Sequence, residues 1–324
     1  MHPIQAEVNR VVDAGVPGAF AYLEAPDGTS QFYTAGWADL ATRQRMAPES
    51  RYRVCSTTKT FTAVVLLQLV AEGHLALHDT LRDHLPELPI PNAGSLTIEH
   101  LLRMRSGLFD FEDDRRLQGD LEAHLHPWSL ADAISLGITH PAMFGPGAKY
   151  WYCNTNFCLL EVLIERMTRH TLAEELLARV FAPLGMTESS YPAEDDLTLP
   201  EPYIRGYERT REGWRECSQV FSGRGDGALL STAPDLARFF RALLLEKNLV
   251  PEPLLRQMME VVPGHPPDRE AYGMGLMSDP LPGGIVWGHS GGGYGYQHDP
   301  VSASGNRALC RLHAQWEPWV SRTA

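Results

Sequence analysis

Two short runs rich in apolar and aromatic residues, Ala19-Phe20-Ala21-Tyr22-Leu23 and Gln31-Phe32-Tyr33-Thr34-Ala35, flank Asp27-Gly28. Two such strand-like runs around an Asp-Gly turn predict a β-hairpin, so the chain is expected to open with one. From Ser56 the period changes: Phe61, Val64, Val65, Leu67, Leu69 and Val70 are apolar almost all round, which predicts a buried helix ended by Gly73. Helical spacing dominates from about 96 to 262, in Ile98-Leu101-Leu102, Leu130-Ile134, Leu159-Val162-Leu163-Met167, Leu172-Leu176-Leu177-Val180 and Leu236-Phe239-Phe240-Leu243-Leu244. Thr232-Ala-Pro-Asp235 opens the last of these as a capped entry. Strand patterns return after Pro263, in Tyr272-Gly-Met-Gly-Leu276, Ile285-Val286-Trp287 and Ala308-Leu309-Cys310-Arg311-Leu312. Strands at both ends with helices between them predict an α/β (α+β) chain. One antiparallel sheet is then formed from both termini, about 1–60 plus 263–324, and a helical lobe, about 61–262, is inserted into it.

A chain of 324 residues, 44% of them apolar, can bury a large core, and its length suits a single unit, 1–324, of two lobes. With 40 acidic against 28 basic side chains the formal charge is −12, which repels phosphate backbones and anionic lipid, so no nucleic acid or membrane partner is expected. The first residues lack a cationic segment followed by an apolar run, with Glu7 and Asp13 interrupting, and a cytoplasmic location is the expectation. Cys55, Cys153, Cys158, Cys217 and Cys310 are odd in number and without metal-ligand spacing, as free thiols would be. His124 with His126, and His74 with His78, have no third ligand within reach by sequence; neither a metal nor a cofactor is expected.

Chemistry concentrates in three segments. In Ser56-Thr57-Thr58-Lys59 a serine at the start of the buried helix has a lysine one turn later on the same face. A serine hydroxyl is a weak nucleophile at neutral pH, and a lysine takes its proton only if burial and the positive helix end depress the ammonium pKa. The chain has three lysines, Lys59, Lys149 and Lys247, beside 25 arginines, and a lysine in so apolar a helix must be paired or functional. In Tyr152-Cys153-Asn154, after the turn Gly145-Pro-Gly147, residues two apart point the same way if the backbone is extended. The phenol then suits a proton shuttle and the amide an orienting group, with Tyr150 as the rival phenol. In His289-Ser290-Gly291-Gly292-Gly293 a run of glycines lets backbone approach a ligand, with His289 at the strand's edge. The acidic run Asp110-Phe-Glu112-Asp113-Asp114 reads as a solvated loop pairing with Arg115 and Arg116, or as an anionic subsite for a substrate ammonium.

Ser-x-x-Lys, Tyr-x-Asn about a hundred residues on and His-x-Gly near the end, in that order, resemble the motif set of the serine β-lactamase and penicillin-binding-protein superfamily of the class C type. Ser106-Gly-Leu108, Phe181-Ala-Pro-Leu-Gly-Met186 and Gly227-Ala-Leu-Leu-Ser-Thr-Ala-Pro-Asp235 add to the likeness, which runs over roughly residues 5–313. Val54-Cys55-Ser56 and Tyr152-Cys-Asn-Thr-Asn-Phe157 look most like its D-aminopeptidase and esterase branch. The resemblance implies a β-lactamase-like fold and a serine hydrolase forming a Ser56 acyl-enzyme on amide or ester bonds of a small molecule or short peptide. Lys59 and Tyr152 would share acid and base work, Asn154 and His289 would hold substrate, and Gly291 and Gly292 would lie against it, with the N–H groups of Ser56 and Gly292 as oxyanion hole. His289-Ser-Gly291 stands where penicillin-hydrolysing relatives usually have Lys-Thr-Gly, which puts D-aminopeptidase-like peptidase or amidase first as the expected activity, then carboxylesterase or β-lactamase/DD-peptidase, then a non-catalytic binding module of the same fold. The family usually ends in a long helix on the sheet and its D-aminopeptidases in further β-barrels. Only about ten residues follow Gln315, Pro318 among them, so the last layer is expected to be incomplete or supplied by a neighbour.

Overall fold

The computed structural model describes residues 2–25, 27–117, 128–219, 223–261, 271–281, 284–303 and 307–313, with the backbone alone for 281, 299–303 and 307–313. The expected hairpin is present as β1 (Gly18–Glu24) and β2 (Ser30–Gly36), but a helix, α1 (Pro3–Asp13), comes before it. Its signal in the sequence is weak because it is capped by His2, whose ring nitrogen accepts the Ile4 N–H at 3.3 Å, and buries only Val8 and Val11. Those valines pack on Ala19 and Ala21, while Phe20 and Tyr22 on the other face of β1 enter the main core. Burial on both faces makes β1 a central strand.

After the hairpin come two minor pairs, β3 (Tyr52–Arg53) with β6 (Leu230–Ser231) and β4 (Tyr207–Thr210) with β5 (Gly213–Glu216). The rest of the main sheet comes from β7 (Ala271–Tyr272), β8 (Met277–Leu281), β9 (Gly284–Gly288), β10 (Gly291–Gly293), β11 (Tyr296–Ala303) and β12 (Arg307–His313). Every pairing is antiparallel, in the order β2-β1-β12-β11-β9-β8-β7, with β10 folded back on β11. Sequence-distant ends therefore share one sheet, Ala19 facing His313 and Glu24 facing Ala308. The expected strand Tyr272–Leu276 is instead a break: Met274 and Gly275 donate to the carbonyls of Met258 and Leu102, outside the sheet, and Gly275 sits at φ +66°.

The buried helix is α2 (Thr58–Ala71), with only Gln68, Val70 and Ala71 less than fully enclosed. Phe61 stacks on Phe239 at 3.6 Å between centroids. Its threonines fasten it to separate parts of the chain. Thr60 donates to the Gly275 carbonyl and Thr62 to that of Gly225, at 2.7 and 2.8 Å, and Thr58 accepts the Leu229 N–H at 3.1 Å. Around it lie α3 (Leu130–Thr139), α4 (Thr155–Thr168) and α5 (Ala233–Phe240), the last capped by Thr232, which accepts the Asp235 N–H at 3.3 Å. Helix α5 covers β1, β11 and β12 on the face opposite α1.

Among the described residues no helix is long and apolar enough to cross a membrane. Cys55, Cys153, Cys158 and Cys217 are buried free thiols. The side chain of Cys310, the pair His124 and His126, and the segment after His313 with Pro318 lie outside the described residues.

Candidate active site

Strand β3 ends at Arg53, and the chain turns through Cys55–Thr57 as a single 3₁₀ turn before α2 begins. Ser56 therefore stands on that turn rather than in the first turn of the α-helix. The turn is sharp enough to hold Cys55 at φ +44°, a conformation a non-glycine residue adopts only under constraint from its surroundings. Ser56 is half-buried, and Lys59 behind it is fully buried.

The ammonium-bearing atom of Lys59 meets three groups: Ser56 Oγ at 3.1 Å, Asn154 Oδ1 at 2.7 Å and the Asp226 carbonyl at 2.8 Å. Both carbonyl oxygens only accept, so they take two N–H bonds, and the serine hydroxyl is the one partner able to give a proton. A neutral amine, with two N–H groups and one lone pair, fits this environment. Burial lowers the Lys59 pKa below its ordinary value, against the pull of Asp226, Glu112 and Asp110.

Tyr152 closes the other side. Its phenol is close enough to the Ser56 side chain for that hydroxyl to act on its pKa, and its ring lies 4.9 Å from Lys59 Nζ. Burial raises its pKa well above the ordinary phenol value, so it is a proton-bearing group at neutral pH. The rival phenol, Tyr150, packs on Tyr272 at 5.8 Å. Asn154 is not extended: at φ −66° and ψ −34° it caps α4, so the two-residue alternation does not apply. It reaches Lys59 by lying at the start of a buried helix.

The acidic run divides by residue, and the solvated-loop reading fails for most of it. Asp110 is buried and accepts both the backbone N–H and Nδ2 of Asn154 at 3.1 Å. That bond fixes which way the Asn154 amide points. Glu112 Oε2 accepts the same Nδ2 at 3.1 Å, and Asp114 turns away to Arg116 and His140. Burial pushes the Asp110 carboxyl up to about 7. Surrounding protein, then repulsion from Asp110 and Asp226, pushes Glu112 up to about 8. The Glu112 side chain itself is open to solvent, which screens part of that effect.

His289 is 1% exposed, with both ring nitrogens engaged inside the protein. Nδ1 donates to the Ser290 carbonyl at 2.7 Å, and Nε2 accepts the Tyr272 hydroxyl at 3.1 Å. Burial pushes its pKa down to about 3, so the ring is neutral. The imidazole expected to hold substrate lies 6.4 Å from the Tyr152 ring, with both nitrogens bonded within the protein. Strand β10 packs against the Cys55–Thr57 turn, and on it Gly292 is exposed, where an added Cβ would meet nothing within 4 Å. Gly291 is closed in: a Cβ would fall 2.2 Å from His298 Nε2 and 2.4 Å from the Val54 carbonyl.

Sequence reasoning missed two contributors. One is the Asp226 carbonyl, delivered by a segment whose Gly225 N–H and Arg224 bond the buried Glu161; Gly223-Arg-Gly-Asp226 was its signal. The other is His298, which bonds the nucleophile turn and had only a place nine residues after His289 to mark it.

Residues 4–303 match the β-lactamase family. The chain belongs to that family. It is 31% identical over 281 residues to the D-aminopeptidase of Brucella anthropi, covering 86% of this chain and 52% of the relative. The chain spans about half the length of the curated relatives it matches. In three dimensions it resembles a D-stereospecific amidohydrolase from Streptomyces sp., with a TM-score of 0.86 at 30% identity over 96% of this chain and 93% of the other. It also resembles the D-amino acid amidase of Ochrobactrum anthropi SV3 in complex with D-phenylalanine, with a TM-score of 0.86 at 25% identity over 96% and 90% of the two chains. This β-lactamase-family chain, with its mixed helices and antiparallel strands, thus matches those neighbours in fold.

Proposed function

We propose that this chain is a serine hydrolase that cleaves amide bonds of small amino-acid amides or short peptides, D-aminopeptidase-like in preference, through an acyl-enzyme on Ser56. The observation that carries the reading is the setting of Lys59, whose buried Nζ lies 3.1 Å from Ser56 Oγ with its N–H groups held by two carbonyls. Neutral Lys59 takes the Ser56 proton as Oγ attacks the substrate carbonyl carbon. The resulting oxyanion is held by the N–H groups of Ser56 and Gly292. Tyr152, beside Ser56 and Lys59, gives its proton to the leaving nitrogen as the C–N bond breaks and takes back the one that Lys59 received, which leaves Lys59 neutral again. Water then attacks the ester carbon, giving up a proton by the same route, and the acid product leaves with Ser56 restored.

Preference for an amine-bearing substrate rests on Glu112, beside Asn154 and open to solvent, where a substrate ammonium meets a carboxylate before it reaches Ser56. This moves the anionic subsite from the acidic run as a whole to one residue. The D-configuration is supported by the names of the relatives, D-aminopeptidase and D-amino acid amidase among them.

A fluorophosphonate probe followed by peptide mapping should place one adduct on Ser56. A panel of D- and L-amino-acid amides, neutral acyl esters and a chromogenic cephalosporin should then show hydrolysis of D-amides above the rest. An unlabelled protein would leave a binding module of the same fold, and faster turnover of neutral esters would move the activity to carboxylesterase.

A further inference from the structure

His298 stands on β11 opposite Gly291 of β10 and is 1% exposed. Its Nε2 lies 2.7 Å from the Val54 carbonyl, which can only accept, so Nε2 carries the ring proton. The same N–H lies 3.1 Å from Thr57 Oγ1, whose own proton goes to the His289 carbonyl at 2.7 Å. Val54 O also takes the Thr57 backbone N–H at 3.1 Å, closing the turn. One imidazole N–H therefore touches both ends of the turn that carries Ser56, including the strained Cys55, and ties them to the sheet.

Beside the clamp, the Tyr52 ring meets the imidazole edge-on at 5.4 Å. An apolar side chain would fill the same space and would lack the N–H. Gly291 completes the contact, since any Cβ there would collide with His298 and Val54 and hold β10 away from the turn.

We infer that His298 is a positioning residue, a neutral N–H clamp that sets the spacing between the Ser56 turn and β10 and so aligns the two backbone donors of the oxyanion hole. This rests on the hydrolase reading above. Donors stabilise a developing oxyanion to the extent that they are fixed before the charge appears, so loosening the clamp acts on the transition state and leaves substrate binding alone.

The test compares the native chain with His298→Leu, which fills the space without a donor, and His298→Gln, whose amide N–H can reach the position of Nε2. Active sites are titrated with a fluorophosphonate, and kcat and KM are measured on the best amide of the panel. The Leu variant should lose roughly 10- to 100-fold in kcat per titrated site with KM within about twofold, and the Gln variant should regain most of it. Native kcat per site in the Leu variant, whatever its melting temperature, would reduce His298 to packing and overturn the inference. So would a Gln variant no better than Leu while both unfold cooperatively. If His298→Leu does not fold, the near-isosteric Thr57→Val decides: a fall in kcat alone supports the clamp, and an unchanged kcat overturns it. A native chain that neither labels at Ser56 nor turns over any substrate removes the hydrolase reading and the clamp together, an outcome seen before any variant is made.

Discussion

Glu112 and Asp110 are two residues apart, bond the same Asn154 amide and differ in one respect, access to solvent. Asp110 is enclosed and spends its oxygens on Asn154 and the Glu112 N–H, so it holds the site together. Glu112 has an open side and can meet a substrate. Glu112→Gln should therefore raise KM for amino-acid amides by about tenfold or more, the range of a lost charge-assisted bond, and leave neutral acyl esters unchanged. The pH dependence follows in sign: Glu112 gains its charge as pH rises through its raised pKa, so KM of the native chain for amides should fall over that interval. The Gln variant should lack that limb. Steady-state kinetics on paired amide and ester substrates check both, and equal effects on the two classes would remove Glu112 from recognition.

At the scale of elements, the short strand β10 and the 3₁₀ turn face each other with almost no room between them. The two adjacent glycines report this differently. Gly291→Ala would put a Cβ 2.4 Å from the Val54 backbone oxygen and should cost about 1–3 kcal/mol or prevent folding, because backbone must shift. Gly292→Ala adds its methyl to open space and should leave the denaturation midpoint within about 0.5 kcal/mol of native. Urea melts of the pair check the contrast. Glycine content in the sequence marked the segment as special, and neighbouring strands decided which glycine is obligatory. The same division holds in α2, whose apolar run predicted burial, whereas the destinations of Thr58, Thr60 and Thr62 lie 163 to 215 residues away and carry no local signal.

The whole molecule is stitched through its buried charges. Glu161 on α4 accepts from the Tyr191 hydroxyl at 2.9 Å and the Gly225 N–H at 2.7 Å, and holds Arg224 nearby at 3.7 Å, so it anchors the segment whose next carbonyl ends on Lys59. Burial pushes the Glu161 carboxyl up to about 7 from an ordinary 4.5, against the pull of Arg224. A carboxyl whose folded pKa is raised binds its proton more tightly when folded. Its contribution to stability is complete below about 4.5 and is lost as pH rises through about 7. The stability of the native chain relative to Glu161→Gln should thus shrink between pH 5 and pH 8, by on the order of 3 kcal/mol. Denaturant melts of both proteins across that range check it, and a pH-independent difference would mean that Glu161 acts by shape alone. Activity runs the other way, since a neutral Lys59 is favoured as pH rises through its lowered pKa.

Periodicity along the chain marked the hairpin, the buried helix led by Ser56 and Lys59, the helical middle and most of the closing strands, and it missed α1 and the break after Tyr272. The marked elements were legible because periodicity and motif spacing are local properties of the chain. The sequence also carried the family, through three motifs whose order survives without any knowledge of distance. Folding alone set which carboxylate of the acidic run stays open to solvent, which groups surround Lys59, which partners the His289 ring takes and that His298 bonds the nucleophile turn. Each of these depends on a partner, often a backbone carbonyl, brought from far along the chain, and backbone groups are the same at every position. A sequence cannot single out the one carbonyl that folding places beside an amine.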